Sequence, residues 1–467
     1  MSFKTNPSEI FDEEDGRIAA ALDIEAFDNA SVYNHPGFKP VGDELSHVPL
    51  RVIHGKVPED LLGVYLRNGT NPQFDKMNSR YHMFSGAGML HQVQILDGEV
   101  TYSNHYNRTP RFLYEQAVGR DVFPSFGDMV AGPVGLQKMK HIEEKQRRGL
   151  IPNLSPLELT PASTAVQHHH GAVYALNESG YAFKLNAKSE HGRLFLDGSG
   201  ELETWGSDWH GPFSAHPRFE PANQDIYNLS VTRSGEIVAG HIHEGEVVAQ
   251  NVVHVQDEAS GSMGFLHDFF ITQNYLIFPD ISFRSNEGFN QDYPLRWGVL
   301  PKAFGADTQV RWFETDQAGS IWHVINAWEQ PAGNGETEIV LYAPRFRSYP
   351  RDVPIHTPEE PPSYLNRWIL NLESGSVNCD EQLLDHGYER PSLNLDFVGS
   401  ESRYAYLIDE ERGGYMGKGV LKYDLLENKE ITYFDYGDFF GGEALCTSAK
   451  HLGQGRLLAK RQFLVSD

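Results

Sequence analysis

Cysteine is nearly missing from this chain: Cys379 and Cys446 are the two in 467 residues. So few, so far apart, exclude a disulfide framework and suit a reducing compartment. Positive charge is also scarce. Lys and Arg total 39 against 64 Asp and Glu, a net charge of −25. Binding to nucleic acid wants a basic patch, so no nucleic-acid partner is expected. No window approaches the ~18 apolar residues of a membrane span. The opening Met1-Ser-Phe-Lys-Thr-Asn-Pro-Ser-Glu-Ile has no apolar signal core. A cytoplasmic or peripheral-membrane location is expected, with a plastid left open.

What is present suits short strands. Hydrophobic residues make up 40% and aromatics 12%, with 44 Gly and 26 Pro scattered rather than clustered. That composition builds many strands joined by turns. Residues 1–50 read as a polar arm with a short helix near 17–27, and 51–467 as one domain. Leu61–Asn68, Met89–Ile95 and Glu99–Tyr102 read as strands, with Asp97-Gly98 as a hairpin turn. Further strands are read at Ala172–Leu176, Asp225–Leu229, Tyr275–Phe278, Glu338–Tyr342 and Tyr404–Ile408. Between about 110 and 160 the spacing turns helical, at Phe112–Val118 and from Val134 through Arg148. From Lys138 to Arg148 there are five basic and two acidic residues. This run is either an interfacial helix resting on anionic lipid or a solvated helix face. The class is all-β with a helical insertion.

Three histidines stand in comparable settings: His216 in Phe213-Ser-Ala-His-Pro217, His267 in Phe265-Leu-His-Asp-Phe-Phe-Ile271, and His323 in Ile321-Trp-His-Val-Ile-Asn-Ala-Trp-Glu329. They are 51 and 56 residues apart, near the ~40–50-residue period of a four-stranded propeller blade. Equivalent points of successive blades face a common axis, where three imidazoles would converge on a metal. The chain has 21 histidines, so chance spacing is an alternative. An isolated imidazole on an apolar strand is ordinarily a hydrogen-bonded core residue.

Two further segments decide between these readings. Arg67-Asn-Gly-Thr-Asn-Pro72 and His82-Met-Phe-Ser-Gly-Ala-Gly-Met89, followed by Tyr102 and Arg108-Thr109, read alone only as tight turns. Together with the histidines they resemble the carotenoid cleavage oxygenase family, whose patterns are Arg-Asn-Gly-Pro-Asn-Pro and His-Trp-Phe-Asp-Gly-Asp-Gly-Met. The resemblance runs from about residue 60 to 445. It implies a seven-bladed β-propeller with a helical cap near 110–160 and non-haem Fe(II) held by four histidines. His216, His267 and His323 match three of the ligand motifs. Glu178, Glu389 and Glu443 match three carboxylates that accept the outer imidazole N–H. The fourth ligand motif has no match through Asp467, and His451 and His386 are not taken for it. The expectation is therefore a fragment or an alternative end, an incomplete last blade and weaker metal binding, with either an active dioxygenase or a form silenced by the absent ligand as the outcome.

The implied reaction adds O2 across one C=C bond of an apolar polyene, a carotenoid or apocarotenoid, giving two carbonyl products. Phe112, Phe269, Trp322, Trp328 and Phe440 are candidates to line the substrate tunnel, and each is alternatively core packing. Stilbene-cleaving members hold a phenol with a lysine and a tyrosine, and no lysine occurs between Lys76 and Lys138. A stilbene-cleaving dioxygenase remains the enzymatic alternative. A non-catalytic propeller that binds an apolar ligand is the other. A calcium or zinc propeller hydrolase would use Asp, Asn and Glu oxygens rather than histidines.

Overall fold

The computed structural model describes residues 4–24, 40–53, 55–59, 61–74, 83–129, 132–178, 180–206, 208–232, 235–253, 266–284, 288–305, 307–348, 362–411, 417–439, 441 and 457–459. The chain divides into two compact units. One is Met1–Glu203 with Gly455–Lys460, the other Thr204–Gln454 with Arg461–Asp467.

The first unit opens with two helices, α1 (Pro7–Ile10) and α2 (Glu13–Ile24). Its first sheet contains β1 (Leu45–Pro49), β2 (Gly63–Asn71), β3 (Ala87–Leu96), β4 (Glu99–Tyr106) and, late in the chain, β27 (Leu457–Ala459). The spatial order is β1-β4-β3-β2-β27, with β27 parallel to β2. The Asp97-Gly98 turn forms as read, with both residues at positive φ, 52° and 79°. That geometry matches the twist of the flanking strands and favours Asp-Gly. The second sheet is β5 (Ala165–His169), β6 (Ala172–Leu176), β7 (Ala182–Glu190) and β8 (Arg193–Glu203).

The Arg67–Pro72 motif is a set of structural pins. Asn68 Nδ2 donates to the carbonyls of Ala162 (2.9 Å) and Ala165 (3.0 Å). Its Oδ1 accepts from Asn107 Nδ2 at 2.9 Å. Asn71 exchanges bonds with the backbone of Val41, at 2.8 and 2.9 Å. Gly88 is needed here because a Cβ would lie 2.2 Å from Ala162 O and 2.5 Å from Asn107 Nδ2. In the same sheet Arg67 pairs across the ladder with His91, whose Nδ1 meets Tyr102 Oη at 2.6 Å. Burial first, then the Arg67 guanidinium, lowers the His91 imidazole to about 3. It stays neutral in the fold and gains a proton on unfolding anywhere below ~6.5. Stability is therefore withdrawn as pH falls from ~6.5 towards that value, and above ~6.5 this group adds no pH dependence. His91→Gln is expected to flatten this acid limb, by about 3 kcal/mol at a pH near ~4, in urea unfolding compared with pH ~7.

Three helices follow the first sheet: α3 (Pro110–Val118), α4 (Phe126–Met129) and α5 (Gly132–Arg147). α3 starts two residues before the apolar pattern because Thr109 caps it, accepting from Phe112 N, with Pro110 in the first turn. It stops at Gly119, which is left-handed. Phe112 stacks on Tyr106 at 4.9 Å, fastening α3 to the first sheet. Ile10, Tyr114, Val118, Val122, Phe123, Ile142 and Ile151 form one helical core. The helices of the 110–160 stretch pack on one another, on α1 and α2 and, through Phe112, on the first sheet; the expected cap over the propeller is not confirmed. The basic run on α5 is partly answered inside the chain. Lys138 pairs with Asp128 at 2.5 Å, His141 meets Asp12 at 3.1 Å, and Lys145, itself buried, pairs with Asp15.

The second unit holds four sheets. They are β9 (Arg218–Phe219), β10 (Ile226–Val231), β11 (Ile237–His243) and β12 (Glu246–Val253); then β13 (Phe270–Ile271), β14 (Tyr275–Asp280), β17 (Arg296–Pro301) and β18 (Arg311–Glu314). Next come β19 (Asn326–Pro331), β20 (Thr337–Arg345), β21 (Tyr364–Asn371) and β22 (Val377–Gln382), then β23 (Tyr388–Ser392), β24 (Tyr404–Asp409), β25 (Gly419–Asp424) and β26 (Lys429–Asp435). A two-stranded ribbon, β15 (Phe283–Arg284) and β16 (Gly288–Phe289), leaves the second of these. Each sheet is an antiparallel meander. Middle strands such as β10 and β14 are buried along almost their whole length; β14 packs Ile277 into one core cluster and Leu276 and Phe278 into another. The last strand of this unit, β26, is exposed along most of its length, Ile431 and Phe434 included. Between the second and third sheets of this unit, Trp297 and Trp368 pack edge to face at 5.1 Å within a fully buried cluster. Each large apolar side chain buried there contributes roughly 1.5–3 kcal/mol, and an aromatic pair about 1 kcal/mol more.

These sheets are the blades of an all-β propeller fold with few helices. Six are found among the described residues, not the seven expected. β1 and β27 add to the two edges of the first sheet, which thus has five strands. Among the described residues β23–β26 is a full four-stranded sheet.

Candidate metal centre

His216, His267 and His323 each sit two or three residues before the first strand of three consecutive sheets, β9, β13 and β19. Topologically equivalent points of successive blades thus carry the three rings, and the rings meet. His216 Nε2 lies 3.0 Å from His267 Nε2, which lies 3.1 Å from His323 Nε2. One ligand atom from each residue falls within 4.8 Å of the others. The rings are edge to face, with centroids 4.5, 4.8 and 5.2 Å apart. His267 is buried, and the other two are partly open.

This arrangement fits a bound cation. Two imidazole nitrogens about 2.1 Å from one ion and at right angles are ~3.0 Å apart. A neutral imidazole has a single N–H. His323 presents Nδ1 to Glu389 Oε2 at 2.6 Å, so its proton sits there and Nε2 carries a lone pair. His267 Nε2 touches two other Nε2 atoms, and one proton serves both contacts poorly. One cation accepting three lone pairs satisfies them all. Three neutral imidazoles suit a borderline transition metal rather than calcium or magnesium.

Glu389 reaches His323 through a strand irregularity. The β23–β24 ladder slips between Glu389 and Ser392, and Arg390 has φ 45°. A bulge of this kind re-aims a side chain. The Arg390 guanidinium turns to Glu410 at 2.6 Å, both buried. Glu178 lies in the first unit, just after β6, where Thr164 Oγ1 donates to it at 3.3 Å. Glu443 lies outside the described residues. His386 bonds Asp409 at 2.8 Å and Glu411 at 3.3 Å, in keeping with its omission from the ligand set. Glu329, six residues after His323, serves a turn instead. It accepts from Thr272 Oγ1 (2.6 Å) and Asn274 N (2.8 Å).

Of the aromatic tunnel candidates, Phe112, Phe269 and Trp328 are core residues. Phe440 lies outside the described residues. Trp322 is the one beside the cluster, its ring 5.7 Å from that of His267.

Sequence reasoning missed Asp268 and Arg218. The Asp268 carboxylate is buried. It accepts from Phe269 N (2.8 Å) and Val324 N (3.1 Å), pairs with Arg218 and stands 3.7 Å from His216 Nδ1. The available signal was an acid directly after a candidate ligand in an otherwise apolar run.

Comparisons with known proteins add the family and the fold. The sequence model for the retinal pigment epithelial membrane protein matches residues 38–451. Carotenoid 9,10(9',10')-cleavage dioxygenase 1 of Arabidopsis thaliana is 27% identical over 452 residues, covering 91% of this chain and 79% of that protein. The chloroplastic 9-cis-epoxycarotenoid dioxygenase NCED6 of the same plant is 27% identical, covering 87% and 70%. Among solved structures, cobalt-substituted Synechocystis apocarotenoid oxygenase aligns with a TM-score of 0.67 at 22% identity, covering 88% of this chain and 85% of that one. The lignostilbene dioxygenase of Pseudomonas brassicacearum aligns with a TM-score of 0.69 at 21% identity, covering 87% and 84%. Those likenesses carry the propeller fold, and the sequence match carries the family. With ligand-type histidines at equivalent points of three blades, and a family match spanning most of its length, the chain belongs to the carotenoid cleavage oxygenase family and is an oxygenase-type enzyme.

Proposed function

We propose that the chain is a non-haem Fe(II)-dependent dioxygenase that cleaves one C=C bond of a carotenoid or apocarotenoid to two carbonyl products. The observation that carries this reading is the convergence of the His216, His267 and His323 Nε2 atoms. The chemistry a bound ferrous ion supplies is activation of O2 for addition across the alkene. The three imidazoles hold the ion while adding no charge, and Glu389 keeps His323 in the tautomer with Nε2 free to bind. We assign Glu443 the corresponding role towards another ligand. Trp322 offers an apolar wall beside His267, suited to the flat face of a polyene. No residue is asked to act as nucleophile or general acid.

A polyene is delivered from lipid, so we place the protein at a membrane surface, in the cytoplasm or a plastid. Exposed Leu113 on α3 and Leu136 on α5 support that contact. No helix among the described residues is long and apolar enough to cross a membrane. The test is incubation of the purified protein with Fe(II) and air against carotenoids, apocarotenoids and hydroxystilbenes. Aldehyde or ketone products from the polyenes support the reading. Products only from stilbenes shift the substrate class. No product from any of them, with iron bound, favours a non-catalytic ligand binder.

A further inference from the structure

The three ligand histidines come from loops, not from paired strands, yet His267 Nε2 lies 3.0 Å from His216 Nε2 and 3.1 Å from His323 Nε2. One carboxylate touches all three loops. Asp268 follows His267 directly. Its Oδ1 accepts from Phe269 N at 2.8 Å and from Arg218, two residues after His216. Its Oδ2 accepts from Val324 N at 3.1 Å, the residue after His323, and stands 3.7 Å from His216 Nδ1. Arg218 Nε also donates to Phe269 O at 2.6 Å. The side chain of Asp268 is only 3% exposed, and a charge so buried persists only with such partners.

We propose that Asp268, clamped by Arg218, is the positioning residue of the histidine cluster: it ties the segments carrying His216, His267 and His323 and sets the spacing of their Nε2 atoms. Glu389 orients a single ring, whereas Asp268 accepts from the backbone of two of the segments, at Phe269 N and Val324 N, and holds the third through the Arg218 side chain. The inference rests on the cluster being a metal site, as proposed above. Partners behind metal ligands typically change affinity about 10- to 100-fold when removed.

The test titrates Co(II) into metal-free full chain and records its visible ligand-field bands and affinity, with thermal unfolding of the metal-free protein alongside. Asp268→Asn keeps the shape and loses the charge. Its expected result is an affinity lowered about 10- to 100-fold with shifted bands. Asp280→Asn is the comparison, since Asp280 is equally buried and pairs with Arg296 at 2.6 Å away from the ligand loops. It is expected to lower the unfolding temperature and leave the bands alone. Arg218→Lys should move affinity and bands in the same direction as Asp268→Asn, and it decides the matter if Asp268→Asn does not fold. Parent-like affinity and bands in a folded Asp268→Asn, or in Arg218→Lys when that variant decides, overturn the inference. So does an equal spectral change in Asp280→Asn. A parent protein that binds no Co(II) instead overturns the metal reading beneath it.

Discussion

His267→Ala is expected to lose metal affinity by a hundredfold or more and to bring turnover below ~1% of the parent. His267 is the middle of the cluster: both short Nε2 contacts, 3.0 and 3.1 Å, are made by its ring. Taking the ~10–16 kcal/mol of a fully ligated zinc site as a scale, each donor contributes about 3 kcal/mol, a factor of roughly a hundred. His216 and His323, with ring centroids 5.2 Å apart, are then left as two donors. His386→Ala separates this from a general histidine effect. That ring is engaged by Asp409 and Glu411, so metal content should be unchanged while stability falls modestly. Equal metal loss from both variants, measured by elemental analysis after mild chelation, contradicts the assignment.

Glu389→Ala carries the second largest effect, a loss of affinity of about 10- to 100-fold. The carboxylate lies 2.6 Å from His323 Nδ1 and is almost wholly buried. Removing it takes away the acceptor that fixes the proton on Nδ1. The imidazole then populates the other tautomer, in which Nε2 carries hydrogen and binds nothing. The alanine also leaves a polar ring nitrogen facing a cavity. Glu389→Gln is more telling, because the amide oxygen still accepts from Nδ1 while the charge is gone. Its expected loss is smaller than that of the alanine variant, at or below the ~10-fold end of the same scale. Affinities from competition with a chelator of known strength check the order parent, Gln, Ala. A Gln variant weaker than the Ala variant contradicts the orientation argument.

Much of this was legible in the residues. Apolar β-branched and aromatic runs placed the middle strands, and Asp97-Gly98 placed a hairpin turn. The spacing of His216, His267 and His323 read as one site because a blade is a repeating unit. The ligand residues lie at matching points just before β9, β13 and β19, so a period in sequence became a convergence in space. The blade count was not legible. Strand edges pair by register across long separations, and nothing local told β1 and β27 to enlarge one sheet. The motif around Arg67 was readable only as turns, since its role depends on Asn68 reaching carbonyls at 162 and 165. Asp268 was missed for the same reason. An acid beside a ligand looks like a ligand or a surface group until its partners, Arg218 and Val324 N, are seen. The basic run on α5 looked free because Asp12 and Asp15, which answer it, lie more than a hundred residues earlier.

The central claim is that three imidazoles from consecutive blades grip a single ion. Anaerobic titration of Fe(II) into the metal-free protein, followed by X-ray absorption at the iron edge, tests it most directly. The account predicts one ion per chain with at least three nitrogen neighbours near ~2.1 Å showing imidazole scattering, and fewer in His267→Ala. An iron shell of oxygen alone, or an identical shell after His267 is removed, would contradict it.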